Sequence, residues 1–117
     1  MSRTTSEWYA QIVAACDAAA ELCGRGRATF DDDRLLQRAA KNICLEVGEA
    51  AKQIAALDAD ELPATTYGRW PLVIRMRDFY GHNYPVTDLN VLWNTLAHDL
   101  PEIHAAVVHR RVELQDD

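Results

Sequence analysis

The sequence contains no long uncharged apolar run and no segment of signal-peptide character. Hydrophobic residues make up 49% of the chain, yet no stretch of them is long enough to cross a bilayer. The amino-terminal MSRTTSEWYAQ reaches Glu7 and Gln11 before any apolar segment that could direct export. These absences predict a cytoplasmic protein that does not enter a membrane. Its 117 residues are enough for one domain, residues 1–117, with a core of its own.

Cysteine and positive charge are also scarce. The three cysteines, Cys16, Cys23 and Cys44, form an odd set without a CxxC pair, and the first two would lie about 10 Å apart on a helix. We therefore expect all three to be reduced, small apolar residues. The net charge of −6 argues against a protein that coats nucleic acid with its whole surface, although it leaves room for a small basic pocket.

The sequence predicts neither a metal site nor a cofactor. His98, His104 and His109 do not share the i, i+4 spacing of helical metal ligands, and we expect them on the exposed side of the last helix. Glu46 and Glu49 could act as an acid and base pair, but carboxylates three residues apart on an amphipathic helix are usually solvated or salt-bridged. We expect one of them to orient a nearby arginine.

Strand patterns of useful length are absent, and helical periodicity takes their place. Apolar residues recur at spacings of three and four over residues 5–23, and again over residues 32–57. Asp31 to Asp33 are candidate N-caps for the second of these helices. Its small residues, among them Gly48, predict the close approach of another helix.

A polar loop over residues 58–70 precedes a third, shorter helix. Pro71 suits the first turn of that helix, where a missing amide hydrogen is harmless, and the helix should continue to Tyr80. Gly81 is then expected to end it in a left-handed conformation.

A fourth helix should begin after a cap at Thr87 or Asp88. Pro101 is expected to kink or divide this helix near residues 97–101, because proline lacks a donor and clashes with the carbonyl four residues back. The fold class predicted is therefore all-α, an antiparallel bundle of four to five helices. Trp8, Trp70 and Trp93 are expected to serve as core or interface residues in preference to base-stacking residues.

The stretch RMRDFYGHNYP, residues 75–85, places several reactive side chains around one helix end. A left-handed Gly81 would let His82 turn back toward the guanidinium of Arg77. The position before a proline favours an extended conformation for Tyr84, which would hold its phenol away from the helix. The three side chains would then share one small surface.

The charge near this surface suits an anion. Arg69, Arg75 and Arg77 lie within nine residues and are opposed there only by Asp78. The planar guanidinium donates two hydrogen bonds to a phosphate at once, and a histidine such as His82 passes protons near neutral pH.

These groups suit cleavage of RNA without a metal, in which the ribose 2′-OH attacks the adjacent phosphate and arginine stabilises the developing charge. DNA lacks the 2′-OH and would be inert. One His82 cannot readily act as both base and acid on opposite sides of a phosphorus atom. The chemistry therefore predicts a symmetric homodimer that supplies two copies of Arg77 and His82.

Three stretches that together cover most of residues 31–105 resemble the HEPN superfamily, and within it the HepT-type ribonuclease toxins. They are NICLEVGEAAKQI (42–54), RWPLVIRMRDFYGHNY (69–84) and DLNVLWNTLAHDLPEI (88–103). The motif of that family is an arginine, a polar residue, three further residues, a histidine, any residue and a tyrosine. Here it is Arg77, Asp78, His82 and Tyr84.

The resemblance implies a dimeric helical bundle in which Arg77 and His82 of both subunits form a metal-independent ribonuclease site. It also implies a partner, a minimal nucleotidyltransferase of the MntA kind that acts as antitoxin. In that family the nucleotidyltransferase transfers AMP to the motif tyrosine, here Tyr84. The added charge and bulk beside Arg77 would switch the toxin off.

Other interpretations of the same residues remain open. Arg77 could simply pair with Asp78 or with the acidic second helix, while His82 caps carbonyls at a helix end. In the ribonuclease interpretation, Asp78 and Glu46 are expected to support Arg77 and His82. The chain could also be a non-catalytic HEPN module that presents a nucleotide or a substrate to a partner nucleotidyltransferase, or a purely structural helical dimer.

Overall fold

A computed structural model describes residues 2–82 and 88–115 of the chain. The helices are α1 (Thr5–Cys23), α2 (Arg27–Asp32), α3 (Arg34–Leu57), α4 (Trp70–Gly81), α5 (Leu89–Asn94) and α6 (Leu100–Gln115). A 3₁₀ turn at Leu62–Ala64 follows α3, and a π-helical turn at Thr95–Asp99 joins α5 to α6. Neither described range contains a strand, and the all-α prediction is confirmed. Within the same ranges, no helix is both long and apolar enough to span a membrane.

Side-chain hydrogen bonds show that α1 and α3 run antiparallel. Gln11 of α1 donates to the carbonyl of Glu46 in the middle of α3, at 2.9 Å. Tyr9, nearer the start of α1, donates to Glu61, which lies just beyond the end of α3. The start of α1 therefore lies beside the end of α3, and the two helices are antiparallel, as expected for the predicted bundle.

The ends of the long helices follow the capping residues. Helix α1 has the predicted bounds, and Thr4 and Glu7 form a capping box at its start. The carboxylate of Asp33 accepts from the amides of residues 35 and 36 and caps α3. The predicted cap among Asp31 to Asp33 is confirmed at Asp33, and α3 begins two residues after the approximate predicted start because Asp32 belongs to the short helix α2. Helix α2 begins after Gly26, whose φ of 90° suits glycine.

The core lies between α1, α3 and the α5–α6 pair. Its largest fully buried side chains include Tyr9, Ile12, Phe30, Val47, Ile54, Leu92, Leu96, Leu100, Ile103 and Val107. Cys16 and Cys44 are buried among them as free thiols, and burial raises the pKa of each to about 12. Trp8, Trp70 and Trp93 all pack on this core, as predicted.

Pro101 coincides with a change in helix geometry. The π-helical turn lies immediately before α6, so the predicted division near residues 97–101 is confirmed. The hydroxyl of Thr95 bonds back to the carbonyl of Val91 at 3.0 Å. Asp88, one of the two predicted caps, accepts from the amides at the start of α5. Thr87, the other, lies outside the described residues.

Helices α3 and α4 cross at Gly48 with almost no space between them. A Cβ atom added to Gly48 would lie 2.7 Å from the backbone nitrogen of Arg77 and 2.8 Å from the carbonyl oxygen of Val73. Both atoms belong to the main chain of α4, so they cannot move aside as a flexible side chain would. The predicted close approach at Gly48 is confirmed, and it brings the middle of α3 against the segment that carries Arg77.

We predict that Gly48→Ala destabilises the fold by about 1–3 kcal/mol, because the added methyl group must push the two helices apart. A loss of stability would be informative, because helix propensity alone predicts that alanine stabilises the helix relative to glycine by about 1 kcal/mol. Urea denaturation measures the change. Gly68→Ala is the control, because a Cβ there meets no heavy atom within 4 Å. Equal stability of Gly48→Ala and the wild type would contradict the crossing.

A buried ion pair ties the end of the bundle together. Arg110 of α6 donates to the Glu61 carboxylate at 2.6 and 3.3 Å, and the Tyr9 hydroxyl donates to it at 2.9 Å. The Glu61 side chain is only 8% exposed. The hydrogen bond from Arg110, reinforced by that from Tyr9, holds the pKa of Glu61 below its usual value. The cluster fixes the loop that leads into α4.

We predict that Glu61→Gln lowers the free energy of unfolding at pH 7 by about 1–3 kcal/mol, because it leaves the Arg110 charge without its buried partner. The folded-state pKa of Glu61 is lowered, so its contribution is complete above the unfolded value, near 4.5, and is lost as the pH falls through the folded value. The gap between wild type and variant should therefore narrow below about pH 4.5.

Denaturation of both proteins across pH 3–7, a range that extends more than about one unit on either side of the usual carboxyl pKa, measures this gap. Glu113→Gln is the matched control, because Glu113 is a second, more exposed partner of Arg110 at 3.8 Å. We expect that change to cost less than about 1 kcal/mol. A gap for Glu61→Gln that does not depend on pH would contradict the assignment.

Candidate active site

Arg77 lies on α4 where the helix crosses α3, and two carboxylates hold its guanidinium. Its Nε donates to Glu49 of α3, and its Nη1 donates to the neighbouring Asp78 at 3.1 Å. Nη2 has no hydrogen-bond partner among residues 2–82 and 88–115. The side chain is 38% exposed. Arg77 is thus oriented by two contacts and keeps one donor for a ligand.

The ion pair between Glu49 and Arg77 remains charged at neutral pH. The hydrogen bond from Gln53 and the contacts with Arg77 hold the pKa of Glu49 below its usual value. In turn the hydrogen bond and charge of Glu49 raise the pKa of Arg77. The site therefore keeps a fixed positive group, partly compensated by Glu49 and Asp78.

His82 faces the same open cavity as Arg77. This cavity, of about 410 Å³, lies where the end of α4 meets α3. Its lining consists of Leu45, Glu49, Arg77, Asp78, Gly81 and His82. A cavity of this size and openness can admit a phosphate group together with part of a sugar. The sequence prediction that Arg77 and His82 share one surface agrees with this arrangement.

The backbone conformation that brings His82 to the cavity differs from the predicted one. Gly81 is the last residue of α4, and a left-handed cap there was wrong, since among the glycines of the described residues only Gly26 has a positive φ. His82 itself follows the helix, with φ −90° and ψ 7°. This sparsely occupied bridge conformation takes His82 off the helical track. Gly81 contributes by having no side chain on the cavity wall.

Two arginines expected to bind phosphate lie away from the cavity. Arg69 precedes α4, about 12 Å along the helix axis from Arg77, and it forms ion pairs with Asp99 and Glu102 at 3.5 and 3.4 Å. Arg75 is exposed, about 160° around the helix from Arg77. The expectation that both arginines would join Arg77 at one phosphate is corrected, because helix geometry separates residues that are close in sequence.

The carboxylate that orients Arg77 is Glu49 and not Glu46. Glu46 instead accepts from Asn42 at 2.7 Å, so its assignment as a supporting residue is corrected. The crossing point explains the choice, since Glu49 lies about 100° around α3 from Gly48, whereas Glu46 lies about 160° from it, nearly on the opposite side. Asp78, the other expected supporting residue, does contact Arg77.

Lys52 is a positively charged residue near the cavity that the sequence motifs do not indicate. It is exposed one turn beyond Glu49 on α3 and is close enough to help lower the pKa of Glu49. Its i+3 spacing from Glu49 was the available signal. It supplies a positive charge beside the cavity, which neither Arg69 nor Arg75 does.

Several other predicted residues lie elsewhere. Tyr84, the expected AMP acceptor, lies outside the described residues. His98 and His109 are exposed, whereas His104 is partly buried and contacts Asp17 of α1 at 3.1 Å. Over the described ranges no cluster of three or more histidine, cysteine or acidic side chains is arranged to hold a metal ion.

We predict that Glu49→Gln lowers the free energy of unfolding by less than about 1 kcal/mol, because the ion pair with Arg77 is partly solvated. The loss should shrink in high salt, which screens the wild-type pair. Urea denaturation at two salt concentrations measures both effects, with Glu46→Gln on the same helix as the control. A loss as large as that expected for Glu61→Gln would contradict a partly solvated pair.

Comparison with known proteins identifies the family of the chain. The family model described as ribonuclease HepT-like matches residues 12–109, which include all of α3 and α4 and the cavity between them. No curated protein and no solved structure shows a significant match to the chain. Since the family model covers most of the sequence, the chain belongs to the ribonuclease HepT-like family of the HEPN superfamily.

Proposed function

We propose that the protein is the toxin of a toxin–antitoxin pair, an endoribonuclease that cleaves RNA without a metal ion. The observation that carries the proposal is the shared cavity of Arg77 and His82, in a chain of the ribonuclease HepT-like family. Arg77 is held in place by Glu49 and Asp78 before any substrate arrives. Such preorganisation is what stabilisation of a charged transition state requires.

In the proposed reaction, a neutral His82 removes the proton of the ribose 2′-OH. The 2′ oxygen then bonds to phosphorus while the bond from phosphorus to the 5′ oxygen breaks. A protonated His82 of the partner subunit gives its proton to that leaving oxygen. The products are a 2′,3′-cyclic phosphate and a 5′-hydroxyl end. Nη2 of Arg77 donates to a phosphate oxygen as negative charge builds up.

The proposed homodimer has a candidate contact surface on α4. Leu72 and Phe79 are 54% and 44% exposed, and they lie on the side of α4 turned away from Gly48 and α3. Large apolar side chains exposed on one helix face are typical of protein interfaces. A two-fold contact through this face would pair two copies of α4. Because Arg77 lies about 160° around the helix from Phe79, a shared site would have to form around the helix ends that carry His82.

Regulation is proposed to act through Tyr84, two residues after His82. The cognate minimal nucleotidyltransferase would transfer AMP from ATP to the phenolic oxygen and release pyrophosphate. The phosphodiester added there would compete with an RNA phosphate for the one donor of Arg77 that has no described partner. The antitoxin would thus inactivate the toxin by occupying its phosphate site.

The contacts of Arg77 favour one other candidate function. Two carboxylates already compensate its charge, and the whole chain carries a net charge of −6. Both features would weaken binding of a long RNA strand. A non-catalytic HEPN module that presents a nucleotide or a substrate to a nucleotidyltransferase would need only one modest phosphate site.

We predict that the purified protein without AMP on Tyr84 cleaves single-stranded RNA in EDTA, and that Arg77→Ala and His82→Ala each reduce the rate by about 100-fold or more. Gel analysis gives the rate and mass spectrometry of the RNA ends detects the cyclic phosphate. Arg25→Gln, an exposed change in the turn before α2, is the control for loss of one positive charge.

Mass spectrometry of the intact protein shows whether Tyr84 carries AMP before the assay. Intact RNA after incubation with the unmodified protein would reject the ribonuclease and favour the non-catalytic module. Cleavage that stops in EDTA, or that persists in both alanine variants, would reject the proposed mechanism.

A further inference from the structure

A second cavity lies along α4 from the one that contains Arg77. It measures about 440 Å³ and lies where the end of α3, the 3₁₀ turn and the start of α4 meet. Its walls include Ala55, Leu62, Thr66, Trp70, Pro71 and Ile74. The walls are mostly apolar, with a few polar groups such as the hydroxyl of Thr66, which is the composition of a small-molecule site.

The two cavities lie along the same side of the α3–α4 pair. On α3, Glu49 lines the first cavity and Ala55 the second. On α4, Asp78 lines the first and Ile74, one turn earlier, the second. Ile74 and Asp78 are four residues apart and occupy the same face of α4, whereas Glu49 and Ala55 are six apart and lie about 120° around α3 from each other. Since both cavities adjoin this face of α4, we call them the two ends of the α3–α4 groove.

Lys52 lies between these two ends. It is three residues from Glu49 and three from Ala55 along α3, about 60° around the helix from each, and it is exposed. A ligand that extends from Arg77 toward the apolar end must therefore pass a second positive charge. The order along the groove is a guanidinium with a histidine, then an ammonium, then an apolar pocket.

This order matches the repeating chemistry of a single strand of RNA, in which phosphates alternate with flat, largely apolar bases. Asp78 and Pro71 are seven residues apart on α4, about 10 Å along the axis, which a flexible nucleotide linkage can span. A base in a duplex is stacked and paired and could not enter the pocket, whereas an unpaired base can.

We propose that the α3–α4 groove binds the RNA strand beyond the scissile phosphate, with Lys52 on the following phosphate and the base after that phosphate in the apolar pocket. The proposal rests on the ribonuclease function above and narrows its substrate class to unpaired RNA. Lys52 and Ala55 are positioning and specificity residues in this scheme, and neither takes part in bond breaking.

The test measures binding of fluorescently labelled single-stranded RNA of two and of six nucleotides by anisotropy, in a His82→Ala background that prevents cleavage. Lys52→Gln should weaken binding of the hexanucleotide about tenfold and reduce the slope of log affinity against log salt by about one. Ala55→Leu should fill the pocket, so that the hexanucleotide loses affinity while the dinucleotide is unaffected.

Matched variants control for charge and for bulk. Arg25→Gln removes an exposed positive charge away from the groove, and Ala39→Leu adds the same side chain at an exposed position on α3. Thermal melting checks that each variant is folded. Lys52 is exposed, so its variant tests the proposal even if Ala55→Leu perturbs packing.

Cleavage by the protein with a native His82 separates the two proposals. If it cleaves RNA, and Lys52→Gln and Ala55→Leu bind RNA as well as their controls, the groove proposal is wrong and the ribonuclease stands. If it does not cleave RNA, yet both variants weaken binding as expected, the groove binds RNA and the ribonuclease is rejected. Failure of the His82→Ala protein to bind either RNA overturns the groove proposal directly.

Discussion

The absence of a side chain at Gly48 determines where every group of the candidate site lies. Only a glycine lets the main chain of α4 pass so close to α3, and the backbone nitrogen nearest to it belongs to Arg77. The same approach brings Glu49 within reach of the guanidinium, and the cavity that contains Arg77 lies on one side of the two helices. A backbone contact is stiffer than a side-chain contact, so the site is fixed by the fold and not by mobile side chains.

The two prominent ion pairs of the protein differ in ways that suit different tasks. Glu61 and Arg110 are largely buried, and Glu61 also accepts a hydrogen bond from the Tyr9 hydroxyl, so the cluster joins α1 and α6 to the loop before α4. Glu49 and Arg77 are more exposed and can exchange partners with a ligand at modest cost. A phosphate binding to Arg77 would not need to break a buried pair. Stability and ligand exchange are thereby assigned to separate clusters.

Local sequence patterns predict the longer helices but not the partners of Arg77. Periodicity and caps predict α1, α3 and α4 because apolar spacing reflects burial directly. They miss α2, a six-residue helix between Gly26 and Asp33, and they cannot choose Glu49 over Glu46 without the position of the helix crossing. The patterns also do not predict the ion-pair partners of Arg69, because Asp99 and Glu102 are about thirty residues away in sequence. Family resemblance located Arg77 and His82, but not Lys52.

The π-helical turn at Thr95–Asp99 keeps the buried residues of α5 and α6 on the same side. Leu92, Leu96 and Leu100 are all fully or almost fully buried, yet residues four apart on an α-helix drift by about 40° per step. The wider turn rotates less per residue, which cancels part of this drift. Leu100 therefore faces the core together with Leu92, and α6 starts with its apolar stripe already aligned toward α1. The turn acts as a one-residue insertion that aligns the apolar faces of α5 and α6, which would otherwise point in different directions.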